Sequence, residues 1–82
     1  MFYTYYLRSI NAPEKTYIGF TKNLKDRLAA HNAGRSVYTK DDRPWKIEAG
    51  FIFDTESKAL RFEAYLKTNV GKVFLKRYVI AE

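Results

Sequence analysis

One run constrains this chain more than any other: Tyr17-Ile18-Gly19-Phe20-Thr21-Lys22-Asn23-Leu24-Lys25-Asp26-Arg27-Leu28-Ala29-Ala30-His31-Asn32, a strand feeding directly into a helix. Tyr17, Ile18, Phe20 and Thr21 suit a pleated, half-buried strand. Asn23 is a good N-cap, and Asp26 three positions later can complete a capping-box-like pair. Gly34 suits the position just past a helix end, which bounds the helix at about Leu24 to Ala33. Arg27 and His31 are four apart on it and share a face, along one flank of the Leu24 and Leu28 stripe. A phenol from Tyr17, a guanidinium and an imidazole converging on one spot can handle an anion.

The flanking segments say what this unit packs against. Phe2 to Arg8 is dense in aromatics and reads as a strand, with Tyr3, Tyr5 and Leu7 facing one way and Phe2, Thr4 and Tyr6 the other. Turn formers from Ser9 to Lys15 make a hairpin loop, so Thr16 to Thr21 runs antiparallel to the first strand. Gly19 leaves an open spot beside Tyr17, where a ligand or another backbone could approach. Trp45 to Phe53 is a third strand, in which Ile47, Ala49, Phe51 and Phe53 alternate with Lys46, Glu48, Gly50 and Ile52 to give one apolar face. Asp54 or Thr55 caps a second helix running to about Asn69, with Ala59, Leu60, Phe62, Leu66 and marginally Tyr65 as its apolar positions. Gly71 breaks that pattern, and Val73, Phe74, Tyr78 and Val79 form a short final helix packed back on the core. The order ββαβαα implies an α+β fold, a small three-stranded antiparallel sheet flanked by helices, in one domain over residues 1–82.

Glu63 is out of place, because it lies on the stripe defined by Ala59, Phe62 and Leu66. A carboxylate facing a core is costly unless it is paired or binds a metal. An ion pair to Arg27 or to another basic residue is the ordinary alternative. With no Cys and a single His, any bound metal has to be held by carboxylate, as a hard ion such as Mg²⁺ or Mn²⁺. The net charge of +6 suits a polyanion, most simply nucleic acid. Lys22 and Lys25 beside the first helix, and Arg35, Tyr38, Lys40 and Arg43 in the polar loop that follows, are the candidate DNA contacts. The same loop, with Ser36 and Thr39 in it, could equally be ordinary solvated chain. No leader or bilayer-length apolar run is evident, which favours a cytoplasmic protein without membrane contact.

These residues resemble the GIY-YIG nuclease superfamily. Thr4-Tyr5 stands where the first half-motif has Gly-Ile-Tyr or Gly-Val-Tyr, and Tyr17-Ile18-Gly19 matches the second fully. Asn23-Leu24, Arg27-Leu28 and His31-Asn32 match the helix pattern, and Ala59-Leu60-x-x-Glu63 the acidic motif. The resemblance covers essentially the whole chain, and is greatest to short single-domain bacterial members similar to the structure-specific endonuclease subunit family. It implies phosphodiester hydrolysis in DNA with one divalent ion, Mg²⁺ or Mn²⁺. Glu63 would ligate the metal, Tyr17 would bond or deprotonate the attacking water, and Tyr5 would support it. Arg27 would bind the scissile phosphate, and His31 would transfer a proton or position a partner. Some members carry Lys after Tyr-Ile-Gly; this chain has Phe20, which removes one group that could favour the Tyr17 phenolate. Substrate choice in such proteins usually comes from an attached domain, so weak, salt-dependent DNA binding is expected of the domain alone; a monomer is expected, and a targeting partner protein is a candidate partner besides DNA. The competing expectation is a module that keeps the fold but only binds nucleic acid or a partner.

Overall fold

The computed structural model describes residues 1–80. The central strand is β1 (Phe2–Ser9), paired antiparallel on one side with β2 (Thr16–Thr21) and on the other with β3 (Trp45–Phe53). The helices are α1 (Leu24–Asn32), α2 (Glu56–Leu66) and α3 (Asn69–Leu75), the last continuing into a π-helical turn, Lys76–Ile80. This is the expected α+β fold with the expected element order. The hairpin loop closes through Ser9 N–H donating to the Lys15 carbonyl at 3.0 Å.

Both faces of the sheet are covered. Tyr5, Leu7 and Trp45 form one core with Tyr17, Leu24, Leu28 and Ile47, beneath α1. Tyr6, Leu66 and Leu75 form the other with Ile18, Ala49, Phe51, Phe62, Phe74 and Val79, beneath α2 and α3. The Thr4 hydroxyl donates to the Ala59 carbonyl at 2.6 Å and ties α2 to the central strand.

The single apolar face expected for β3 is not what forms. Tyr6 pairs with Ala49 but Leu7 pairs with Ile47, so Glu48 is the extra residue of a β-bulge. The bulge inverts the alternation: Ile47 packs beneath α1 with Leu7, whereas Ala49 and Phe51 pack beneath α2 with Tyr6. The Arg8 guanidinium binds the Glu48 carboxylate and the Pro13 carbonyl, which gives the bulged residue a partner.

The helix ends differ in how far they follow the sequence. The Asn23 side chain accepts from Asp26 N–H at 3.1 Å, as an N-cap should. The reciprocal half of the box is replaced: Asn23 N–H donates to the Thr21 hydroxyl at 3.1 Å, not to Asp26. Past the other end, Gly34 (φ 79°) donates to the His31 carbonyl and Arg35 N–H to the Ala30 carbonyl, both at 3.1 Å, a Schellman closure. The second helix stops at Leu66, short of Asn69, because the Thr68 hydroxyl caps a new helix by accepting from Gly71 N–H at 3.1 Å. Gly71 therefore lies inside α3 and breaks nothing. A Cβ there would sit 2.6 Å from Leu66 Cα, so the missing side chain is what lets α3 turn against the end of α2. Leu60, Val73 and Tyr78, expected in the core, are exposed.

Gly71→Ala is expected to lose at least about 2 kcal/mol of stability, since backbone rather than a flexible side chain obstructs the new methyl. Urea denaturation should show a lower midpoint at unchanged slope; an unaltered midpoint would contradict this packing.

Candidate functional site

The site is built on the Tyr5 phenol. Tyr5 pairs across the sheet with Gly19 on β2 and Gly50 on β3. A Cβ at Gly19 would lie 2.5 Å from Tyr5 Cζ, and one at Gly50 would lie 3.2 Å from Leu24 Cδ2. The spot beside Tyr17 is thus filled by the Tyr5 ring and is not an open approach for a ligand. Tyr5, Tyr17 and His31 cluster with ring centroids 5.0 to 6.2 Å apart.

At the Tyr5 oxygen two side chains of α1 meet. Arg27 Nε donates to it at 3.2 Å, and His31 Nε2 shares a hydrogen bond with it at 2.9 Å. The other ring nitrogen, His31 Nδ1, is bonded to the Thr39 hydroxyl at 2.7 Å. His31 does not stand on the flank of the helix stripe: it is the buried residue of α1, at 0% exposure, while Leu24 and Leu28 are only half-buried. Burial, helped by the Arg27 charge, pushes its imidazole below the ordinary range and favours the neutral ring. Burial raises the Tyr5 phenol, opposed by the hydrogen bond and charge of Arg27. The bond to Tyr5 is also the main reason the Arg27 guanidinium is held above its usual value.

The loop after α1 does structural work that the sequence did not advertise. Ser36 and Thr39 are buried, so their hydroxyls are not the outward phosphate contacts that the loop's composition suggested. The Thr39 carbonyl accepts from Trp45 Nε1 at 2.8 Å. Asn32 clamps the Trp45 backbone in both directions, Nδ2 donating at 3.0 Å and Oδ1 accepting at 2.6 Å. Of the candidate DNA contacts, Lys22 and Lys25 flank the start of α1 and Arg35, Tyr38, Lys40 and Arg43 follow its end; all six are exposed. Lys22 lies over the Phe2 ring, and Arg43 Nε donates to the Lys40 carbonyl at 2.7 Å beneath Gly34.

Glu63 stands apart from the other four. It is carried by α2, which covers the opposite face, and no hydrogen bond or ion pair among the described residues joins it to Tyr5, Tyr17, Arg27 or His31. Its charge is nonetheless felt at Tyr5, as the smallest influence raising that phenol. Its partner is Lys67, at 3.2 Å one turn on, and not Arg27. The Lys67 side chain is 56% exposed, and such an i,i+4 pair contributes only about 0.3–0.5 kcal/mol, so it does not lock the carboxylate. Among the described residues no three His, Asp or Glu side chains cluster to hold a metal. The donor set on this flank is a single carboxylate, which fits a hydrated Mg²⁺ or Mn²⁺ completed by water and substrate oxygens, and not a dehydrated ion in a protein cage.

The neutral His31 also sets a pH dependence of stability. Below its unfolded value of 6.5 the unfolded chain takes up a proton that the folded chain resists. The contribution is therefore complete above about pH 6.5 and is lost as pH falls toward the lower folded value, by up to about 1.4 kcal/mol per pH unit. The stability difference between wild type and His31→Gln should shrink from about pH 7.5 to about pH 5.5 in urea titrations. A difference that stays constant would contradict a buried neutral ring.

The pattern of the GIY-YIG catalytic domain matches residues 1–78. A UPF0213 protein of Staphylococcus haemolyticus is 42% identical over 53 residues, covering 63% of this chain and 65% of that protein. UPF0213 proteins of Lactococcus lactis subsp. cremoris and subsp. lactis are each 38% identical, over 66 and 65 residues, covering 79% and 77% of this chain. The matches span 65% and 62% of those two relatives, so this chain covers just under two thirds of the length of each of the three. With the sheet, the Tyr5 cluster and the near full-length match in agreement, the chain belongs to the GIY-YIG family of nuclease domains.

Proposed function

We propose that this chain is a divalent-metal-dependent endonuclease that hydrolyses phosphodiester bonds in DNA, with branched or damaged DNA of repair and recombination as its substrate class. The observation that carries the reading is the junction at the Tyr5 oxygen, where Arg27 and His31 meet beside Tyr17. Tyr17 and Arg27 are partly exposed and are the groups of this cluster that can touch a substrate; Tyr5 and His31 are buried and act through them.

In this reading the Tyr17 phenol hydrogen-bonds the attacking water and relays its proton, passing its own hydrogen on to solvent as it takes the one from the water. Arg27 keeps its Nε on Tyr5 and turns the rest of its fork to the scissile phosphate, whose charge grows as the water oxygen bonds to phosphorus and the leaving oxygen departs. Glu63 would hold the ion, with Lys67 swinging out to solvent. Bound there, a divalent cation supplies charge neutralisation at the phosphate oxygens. Lys22, Lys25, Arg35, Tyr38, Lys40 and Arg43 would follow the DNA backbone, so binding should weaken steeply with salt.

The competing reading, a binding module without catalysis, draws on the separation of Glu63 from the other four. Cleavage of plasmid and branched DNA with Mg²⁺ or Mn²⁺ separates the two. Arg27→Ala is expected to reduce the rate by about 10²–10³-fold, as loss of a charge-stabilising donor does, and Glu63→Ala by at least as much. Cleavage unchanged in both variants, or absent under every condition, would remove the endonuclease reading; binding that persists without cleavage would favour the module.

A further inference from the structure

We infer that Thr39 is a positioning residue: its hydroxyl donates to His31 Nδ1, fixes the imidazole as the Nε2–H form, and so makes His31 and Arg27 joint donors to the Tyr5 oxygen. Tyr5, a neutral His31 and Thr39 are joined by two hydrogen bonds, at 2.9 and 2.7 Å. The three groups bring a phenol hydrogen, one ring N–H and a hydroxyl hydrogen. Two links use two hydrogens, and the third must point out of the chain at one end.

The two ends are not equivalent. If Tyr5 donates to Nε2, Nδ1–H donates to Thr39 and the Thr39 hydrogen is left over. Thr39 is 0% exposed, and among the described residues its hydroxyl has no partner except His31. Such a donor would be stranded in the interior, the arrangement that native structures avoid. If instead Thr39 donates to Nδ1, Nε2–H donates to Tyr5 and the phenol hydrogen is left over. Tyr5 is buried too, but its oxygen lies against Arg27, which is only partly buried, and its ring beside the partly exposed Tyr17. That hydrogen lies on the side where the neighbouring side chains, Arg27 and Tyr17, reach solvent, whereas the Thr39 hydrogen has no such neighbour among its hydrogen-bond partners. The Tyr5 oxygen then accepts from Arg27 Nε and from His31 Nε2, and its own O–H turns to the side of Arg27 and Tyr17, the partly exposed members of the cluster. Thr39 can hold this arrangement because Trp45 Nε1 pins its carbonyl at 2.8 Å, fixing the loop against the ring.

The catalytic meaning of this device rests on the endonuclease reading, but its geometry does not. Nitrogen-15 NMR of the single histidine in the intact chain reads the tautomer directly. The wild type is expected to carry its proton on Nε2, with Nδ1 resonating as a hydrogen-bonded acceptor. Thr39→Val, which keeps the shape and removes the donor, should move the Nδ1 resonance toward that of an unbonded acceptor; Thr39→Ser should restore it. A proton on Nδ1 in the wild type overturns the proposal even if Thr39→Val fails to fold, and so does an Nδ1 resonance indifferent to Thr39→Val. Where the wild type cleaves DNA, Thr39→Val should lower kcat about tenfold with KM little changed, and Thr39→Ser should recover it. An inactive wild type with the expected tautomer would sink the endonuclease reading and leave the role of Thr39 standing.

Discussion

A phenol oxygen buried against the middle of a sheet must be hydrogen-bonded, and the arrangement of this molecule follows from meeting that demand for Tyr5. The strand on either side gives up a side chain, at Gly19 and Gly50, so that the Tyr5 ring can lie down on β2 and Leu24 can settle on β3. The helix that then covers this face presents two nitrogen-bearing side chains one turn apart to the same oxygen. The second of them, His31, is itself buried, so its far nitrogen needs a partner, and the loop after α1 folds inward to provide Thr39. The chain of requirements runs from strand to helix to loop and ends at Trp45, the first residue of β3, whose indole holds the loop in place. Burial and the Arg27 charge lower the imidazole's pKa and so favour the uncharged ring, with which the network can be satisfied without a counter-ion.

Much of this was legible locally. The strand-to-helix run was readable because Asn23, the Arg27–His31 spacing and Gly34 each act within a few residues of where they stand. The same is true of the element order, which the periodicities set one segment at a time. What escaped was set by contacts distant in sequence. The alternation of β3 was a faithful period of two, and nothing in it announces that Glu48 will bulge to satisfy Arg8. Gly71 was read as a breaker because glycine usually is one; its use here, a close approach of α3 to the end of α2, exists only once both helices are placed. Thr39 looked like one more hydroxyl in a basic loop. Only a buried Trp45 six residues on, hydrogen-bonding back to its carbonyl, turns it inward.

The candidate site divides in the same way. Tyr5, Tyr17, Arg27 and His31 come together because strand pairing and one helical turn bring them together. Glu63 belongs to the other layer. Its place on α2 is fixed by Ala59, Phe62 and Leu66 packing under the sheet, and the acid is carried along at the edge of that stripe. A carboxylate left there for structural reasons alone would be expected to find a strong partner, yet its partner is an exposed lysine in a weak pair.

That weakness bears on how the two layers could act as one. Tyr5 has no bond to Glu63 but feels its charge, which raises the phenol, while Arg27 on the other side lowers it. Burial raises the phenol most, the Arg27 hydrogen bond and charge oppose it, and the influences of Tyr17 and then Glu63 come last, both raising it. Anything that neutralised Glu63, a cation most simply, would remove one of the influences opposing ionisation at Tyr5 without touching it. A negative charge brought up to Arg27, such as a phosphate, would act in the opposite sense by spending the guanidinium's field elsewhere.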